Sequence, residues 1–339
     1  MRFLPAFPFN LAVLSVLAAC GTSAPTGADA GPSDSGSADA GATDGAAGDP
    51  NVLVGSFRVK LVAPIAATAS TAAVPGSTSV VGKVYSGPTP VTTIWDLSAT
   101  EGSCRLLLPR VPTCTTPCGG TALCVADETC QAYPAAKSVG TVRVSGVRTA
   151  AGATEFTMSA VANNYQPPAG TSPPFPAFAE GDAIVLETSG GAYATFVLSA
   201  KGIAPLSLTN GVLQLLSGQP MTLSWTAAGQ AGLSTIHVKL DISHHGGSKG
   251  MIECDSADTG SLVVPAGLLT QLINRGVAGF PSVIITRSAV GSAVIEPGRV
   301  DLVISSEVER ELEVPGVISC TDTSQCPGGQ SCQTDLTCR

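Results

Sequence analysis

From Asn51 onward the chain alternates apolar and polar residues in short runs that Gly and Pro interrupt, the period of half-buried strands. The clearest run is 52–62, with Phe57, Val59 and Leu61 in phase, followed by 79–85, 91–97 and 104–108. Runs of the same kind fall at 140–147, 154–160, 183–187, 194–198, 206–208, 212–216, 221–226, 234–242, 261–264, 282–287 and 299–305. A helical pattern is confined to one short piece, residues 266–273. The pattern predicts an all-β protein, with an N-terminal β domain over 51–112 and tandem Ig-like β-sandwich domains over 135–315. Trp95 and Trp225 fall inside strands, which predicts core positions and leaves few aromatic platforms for a glycan.

Composition sharpens this picture. The chain is 44% hydrophobic but 12% charged and 4% aromatic, with 38 Gly and 25 Pro, so its apolar residues are mostly small and broken up by turn formers. A net charge of -8, without clustered Lys and Arg, excludes a surface that neutralises nucleic-acid phosphates.

Ahead of the β region lies a different kind of sequence. Arg2 is followed by an apolar run of about fifteen residues, the layout of a secretory signal peptide over residues 1–19. Pro5 and Pro8 interrupt it, and it falls short of the ~20 apolar residues of a membrane span. Leu17-Ala18-Ala19-Cys20 resembles the lipobox of bacterial lipoproteins. The resemblance implies that Cys20 is the mature N-terminus and the lipid attachment site, a membrane anchor of more than one acyl chain. Gly21 and Thr22 stand where Asp favours inner-membrane retention, so the resemblance implies the outer membrane, with a periplasmic or surface-exposed body. Residues 20–50 are expected to form a disordered tether. Residues 21–50 contain only Gly, Ala, Ser, Thr, Pro and Asp, and Asp29, Asp34, Asp39, Asp44 and Asp49 recur without a basic residue between them. Such a chain spans roughly 30 Å.

The chain has 11 cysteines, an even number once Cys20 is set aside for lipid, as disulfides in an exported protein require. Cys114, Cys118, Cys124 and Cys130 form C-x3-C-x5-C-x5-C; Cys320, Cys326, Cys332 and Cys338 form C-x5-C-x5-C-x5-C. Both segments end in C-x2-D-x-T-C and read as copies of one small module, over 113–134 and 316–339. If each module is self-contained, Cys104 and Cys254 remain to pair with each other. The alternative pairs Cys104 within the first cluster and frees another cysteine for Cys254. The dominant C-x5-C spacing argues against zinc knuckles, so no metal or other cofactor is expected.

The segments GKVYSGPTP, CRLLLPRVPTC and FPAFAEGDAI, with the Cys-rich tail, resemble uncharacterised cysteine-rich lipoproteins of myxobacterial type. The resemblance covers residues 51–339 and implies a surface lipoprotein without supplying a mechanism.

Two segments could carry chemistry. Asp258-Thr259-Gly260-Ser261 resembles the D-T-G-S loop of aspartic proteases, which need a second carboxylate to share one proton. The other D-S/T-G in the chain, at Asp34, lies in the tether, and D-T-G-S is also an ordinary turn. The second segment is the loop with His244 and His245, preceded by Asp241, a candidate metal site if its backbone lets the rings converge. A nucleophile elbow and a phosphate loop are both missing. The sequence therefore predicts no catalytic residues and a non-catalytic binding, structural or adhesion role, with an envelope protein or polymer as partner. A metal-binding or hydrolytic protein using Asp258 or the His244/His245 loop is the alternative.

Overall fold

The computed structural model describes residues 48–64, 67 and 72–339. The expected leader 1–19, the expected lipid attachment site Cys20 and residues 21–47 of the expected tether lie outside the described residues. The fold opens with β1 (Asp49–Val62), whose buried Phe57, Val59 and Leu61 alternate with outward Ser56, Arg58 and Lys60. It turns back as β2 (Ser77–Tyr85) and is followed by a second hairpin, β3 (Ile94–Glu101) and β4 (Cys104–Arg110). The first cysteine module contributes a small hairpin, β5 (Ala122–Ala126) and β6 (Thr129–Ala132). The middle of the chain supplies β7 (Ala136–Lys137), β8 (Val142–Ser145), β9 (Glu155–Met158), β10 (Asn164–Tyr165), β11 (Ala183–Thr188) and β12 (Val197–Lys201). After β13 (Met221–Ser224) come β14 (Thr235–Asp241), β15 (Met251–Ala257), β16 (Ser261–Val264) and the helix α1 (Ala266–Ile273). Two strands of 14 residues each, β17 (Ser282–Ile295) and β18 (Gly298–Glu311), close the β body.

One ten-stranded sheet dominates, in the order β10-β2-β1-β18-β17-β14-β15-β4-β3, with β7 also paired to β2. Its pairings are antiparallel apart from β1 with β18, which run parallel. A four-stranded sheet, β12-β11-β8-β9, covers one half of its inner face, and the β13-β16 pair with α1 covers the other. The protein is thus all-β, built of β-sandwich layers and carrying two disulfide-rich modules.

Two hydrophobic cores result. The first gathers Phe57, Val59 and Leu61 of β1, Val142 and Val144 of β8, Ile184 and Leu186 of β11, and Leu302 and Ile304 of β18. The second gathers Leu106 of β4, Val238 and Leu240 of β14, Ile252 of β15, and Leu268, Leu269 and Leu272 of α1. The β17–β18 hairpin is common to both: Val283 and Ile285 serve the second core, Ala289 and Val300 the first. Where β12 crosses the hairpin, a Cβ on Gly291 would lie 1.8 Å from the Ser199 carbonyl oxygen, so this contact between layers requires glycine.

Several expectations change. Residues 51–112 do not form a sheet of their own, because β1 and β2 lie toward one end of the large sheet and β3 and β4 at the other. Their open edges are filled by strands from 235–311, since unpaired edge groups of two separate hairpins must find partners. Strand β15 was not evident in the sequence because Glu253 and Asp255 break the apolar run, while its inward set, Ile252 and Cys254, is short. Strand β17 extends eight residues beyond 287, through a stretch of Ser, Ala and Gly that reads as a break but pairs with β18 to its end. Residues 206–208 and 212–216 supply isolated bridges, Leu208 to Trp225 and Gln214 to Glu313, in place of strands.

Cys104 and Cys254 face each other directly across β4 and β15 and are bonded, at the wall of the second core. Within the modules the bonds run Cys114–Cys124 and Cys118–Cys130, then Cys320–Cys332 and Cys326–Cys338, the same first-to-third and second-to-fourth order. The shared D-x-T has a shared geometry too: its central residue is left-handed in both modules, Glu128 at φ 58° and Leu336 at φ 60°. Removing the long bridge with Cys104→Ala and Cys254→Ala together is expected to lower unfolding free energy by about 4 to 5 kcal/mol, from the entropy of opening a loop of this length. Urea denaturation of the double variant against the parent checks this.

Candidate functional site

The D-T-G-S segment is the turn between β15 and β16, and it places Asp258 in the interior, with a side chain 3% exposed. Opposite it stands Arg287, 1% exposed, at an inward position of β17 between Ile285 and Ala289. All five guanidinium N–H groups are used. Nε and one Nη donate to the two Asp258 oxygens, the same Nη donates to the Thr226 carbonyl, and the other Nη donates to the carbonyls of Ala204 and Pro205. Asp258 in turn accepts from Trp225 Nε1 at 2.7 Å and from Ser234 Oγ at 2.8 Å. Ser306, paired with Arg287 across the hairpin, accepts from the Leu206 amide at 2.9 Å.

This arrangement overturns the protease reading of Asp258. The carboxylate is occupied on both oxygens by donors and is sealed from solvent, so it has no room for a water between two acids. Burial pushes the Asp258 carboxyl up, but hydrogen bonds from Arg287, Ser234 and Trp225, with the guanidinium charge, outweigh it and hold the group below the usual carboxylate range. Trp225 is 4% exposed and belongs to the second core. The sequence held a signal for Arg287: it is the charged residue in phase with the inward set Val283, Ile285 and Ala289, a position that requires a buried partner.

The His244/His245 segment is a loop after β14. The two rings lie 3.9 Å apart, centroid to centroid, tilted by 52°, and His245 adopts φ 65°. Asp241 does not join them. Its Oδ1 accepts from the Ser243 amide and hydroxyl, at 2.8 and 3.0 Å, which fixes the start of the loop. Gly279 lies against this loop, where a Cβ would meet the His244 carbonyl oxygen at 2.0 Å, and its amide donates to Asp335 of the second cysteine module. Among the described residues, groups of three or more possible metal ligands within 4.8 Å of one another consist of cysteines: Cys114, Cys118 and Cys130, and Cys320, Cys326 and Cys338. These sulfurs are disulfide-bonded and present no thiolate.

The third histidine sits elsewhere, on the solvent face of the large sheet. His237 of β14 has Nδ1 2.8 Å from Asp255 of β15, and Asp255 also accepts from Arg105 of β4 at 2.9 Å. Buried Glu253, two residues before Asp255, lies 3.6 Å from Arg105 and 4.0 Å from His237. The hydrogen bond from His237 first, and the charges of His237 and Arg105 with it, hold the Asp255 carboxyl below its ordinary value against a smaller effect of burial. Farther along the same face Lys60 of β1 pairs with Glu307 of β18 at 2.8 Å. The face is a plane of mixed charge built by the outward residues of adjacent strands.

No family model and no curated protein matches the chain. Among solved structures, the FN1-FN3 domains of chicken CNTN1 align with 72% of this chain and 71% of that chain, at 6% identity and a TM-score of 0.17, too low to bear on fold or function.

Two outcomes follow from the Arg287–Asp258 pair. Asp258→Ala leaves a buried, uncompensated guanidinium and is expected to cost about 3 to 5 kcal/mol in urea unfolding. Because the folded carboxyl titrates below its unfolded value of about 4, its contribution is fully present above that pH and is lost as pH falls through the folded value. Acid unfolding of the parent, compared with Asp258→Asn, should show this as a shallower pH dependence in the variant.

Proposed function

We propose that the protein is a lipid-anchored component of the bacterial outer membrane, whose β body acts as a non-catalytic binding or adhesion element held off the membrane by a tether that starts at Cys20 and ends where β1 begins at Asp49. The location rests on the L-A-A-C segment, the acidic low-complexity stretch after it and the likeness of residues 51–339 to cysteine-rich lipoproteins of myxobacterial type. Five disulfides in one body fit an oxidising compartment.

The observation that carries the binding reading is the division of labour among polar groups. The carboxylate best placed by sequence to do chemistry, Asp258, is spent on joining the two cores, while the broad outer face of the sheet turns charged side chains to solvent. A rigid sheet with alternating charge is a surface for contact with an envelope protein or polymer. The two disulfide-closed modules add further exposed surface of fixed shape.

The anchor is testable directly. Cys20→Ala is expected to abolish incorporation of labelled palmitate and to leave a slower-migrating, uncleaved precursor in electrophoresis. Continued labelling and normal processing of the variant would remove the lipoprotein reading. The binding half of the proposal is read by sedimentation of the detergent-solubilised parent protein with purified envelope polymer, where retention is expected and its absence counts against a contact role.

A further inference from the structure

We propose that the solvent face of β1, β2 and β10 holds a binding site for carboxylate groups of an acidic polysaccharide, with Arg58 and Lys83 as the cation pair; this deepens the envelope-contact reading and rests on it. The face carries a cleft of about 400 Å³ lined by Ser56, Arg58, Val81, Lys83, Asn164 and Gln166. Its geometry follows from strand pairing. Arg58 lies opposite Val81, and Ser56 opposite Lys83, so the guanidinium and the ammonium come from diagonal positions on neighbouring strands and share one face. Asn164 pairs with Lys83 from the other side and closes the end of the cleft.

Among the described residues of this sheet several cations are ion-paired, whereas Lys137, Lys239, Arg310, Arg58 and Lys83 have no carboxylate partner, and of these Arg58 and Lys83 line the cleft. Lys60 has Glu307, Arg105 has Asp255, and Arg299 has Asp301. The Arg58 side chain is half-buried and, among the described residues, makes neither a hydrogen bond nor an ion pair. Lys83 has for its neighbour the ring of Tyr85, 5.3 Å from its nitrogen, and no carboxylate. The nearest acid by register is Asp301, opposite Ser56 on β18, and its Oδ1 is already held by Arg299 at 2.9 Å and Ser292 at 2.7 Å. In a chain of net charge -8, two cations without acids at one cleft make a spot that an anion would complete.

The remaining lining selects among anions. Ser56, Gln166 and the free Oδ1 of Asn164 offer donors and acceptors suited to hydroxyls, the groups that flank each carboxylate in a uronate chain. An acidic protein partner would need an apolar anchor; of the lining residues Tyr165 is 1% exposed and packed in the first core, which leaves Val81 as the apolar side chain at the surface. A membrane surface is drawn to clusters of about four to eight basic residues, where this site has two.

The test uses the full acylated chain in detergent, titrated calorimetrically with sodium polygalacturonate, neutral dextran and inorganic phosphate. The parent is expected to bind polygalacturonate, to ignore dextran and to weaken as salt is raised. Arg58→Gln and Lys83→Gln should each weaken binding about tenfold, with melting temperatures unchanged, whereas Lys201→Gln on β12 should bind like the parent. Equal affinity in the parent and both variants would overturn the proposal, as would phosphate binding as tightly as the polymer. If both variants lose nothing while the parent still sediments with envelope polymer, the cleft fails and the contact role stands. If the parent binds neither probe nor envelope polymer, the contact role itself fails.

Discussion

The ion pair of Arg287 and Asp258 is the constraint around which the rest of the body is arranged. It stands at the seam between two hydrophobic cores, on the one hairpin that both cores share. From this point the guanidinium reaches the turn after β15, the segment that leads from β12 toward β13, and the end of β13. Ser306 ties the same segment from the facing strand. A charge this deeply buried is tolerable because every donor is satisfied; with one partner missing the same site would be strongly destabilising. The pair therefore specifies how the layers meet more than it adds to their cohesion.

Cysteine bridges do a different job. The large sheet has apolar layers to hold it, and one bridge reinforces it where β4 meets β15. The two modules have almost no interior, so two crossed bonds each restrain chains that could not fold on packing alone. Their common bond order and the left-handed residue at Glu128 and Leu336 make them one small fold used twice. The first copy is tied to the sheet through Arg110, which pairs with Asp96 and Asp127, each at 3.0 Å. The second is tied by Asp335 and Ser319 to Gly279, beside the histidine loop.

Much of this was legible along the chain, and the rest was hidden for definable reasons. Alternation at Phe57, Val59 and Leu61 exposes β1, and the Ala266–Ile273 helix is bounded as its pattern indicates. Periodicity does not say which strand neighbours which, so the distribution of 51–112 over both parts of one sheet was invisible. Charge obscured β15, and small residues obscured the far half of β17, although each has an inward-facing set. Asp258 drew attention by its motif, while Arg287, in plain phase with a buried face, was the more telling residue. The Arg58 and Lys83 pair depends on a register between two strands, and no linear pattern contains it.

The parallel pairing of β1 with β18 has a consequence for the order in which this protein can come into being. Lys60 and Glu307, which meet across that pairing, are 247 residues apart in sequence. A growing chain emerges N-terminus first, so its earliest strand must wait, with one edge unmet, until nearly all the remainder has appeared. During that interval β2 is the one neighbour available to it, and a lone hairpin is marginal in water. The edge of β1 that faces β18 consequently stays unpaired until residues 298–311 have been made.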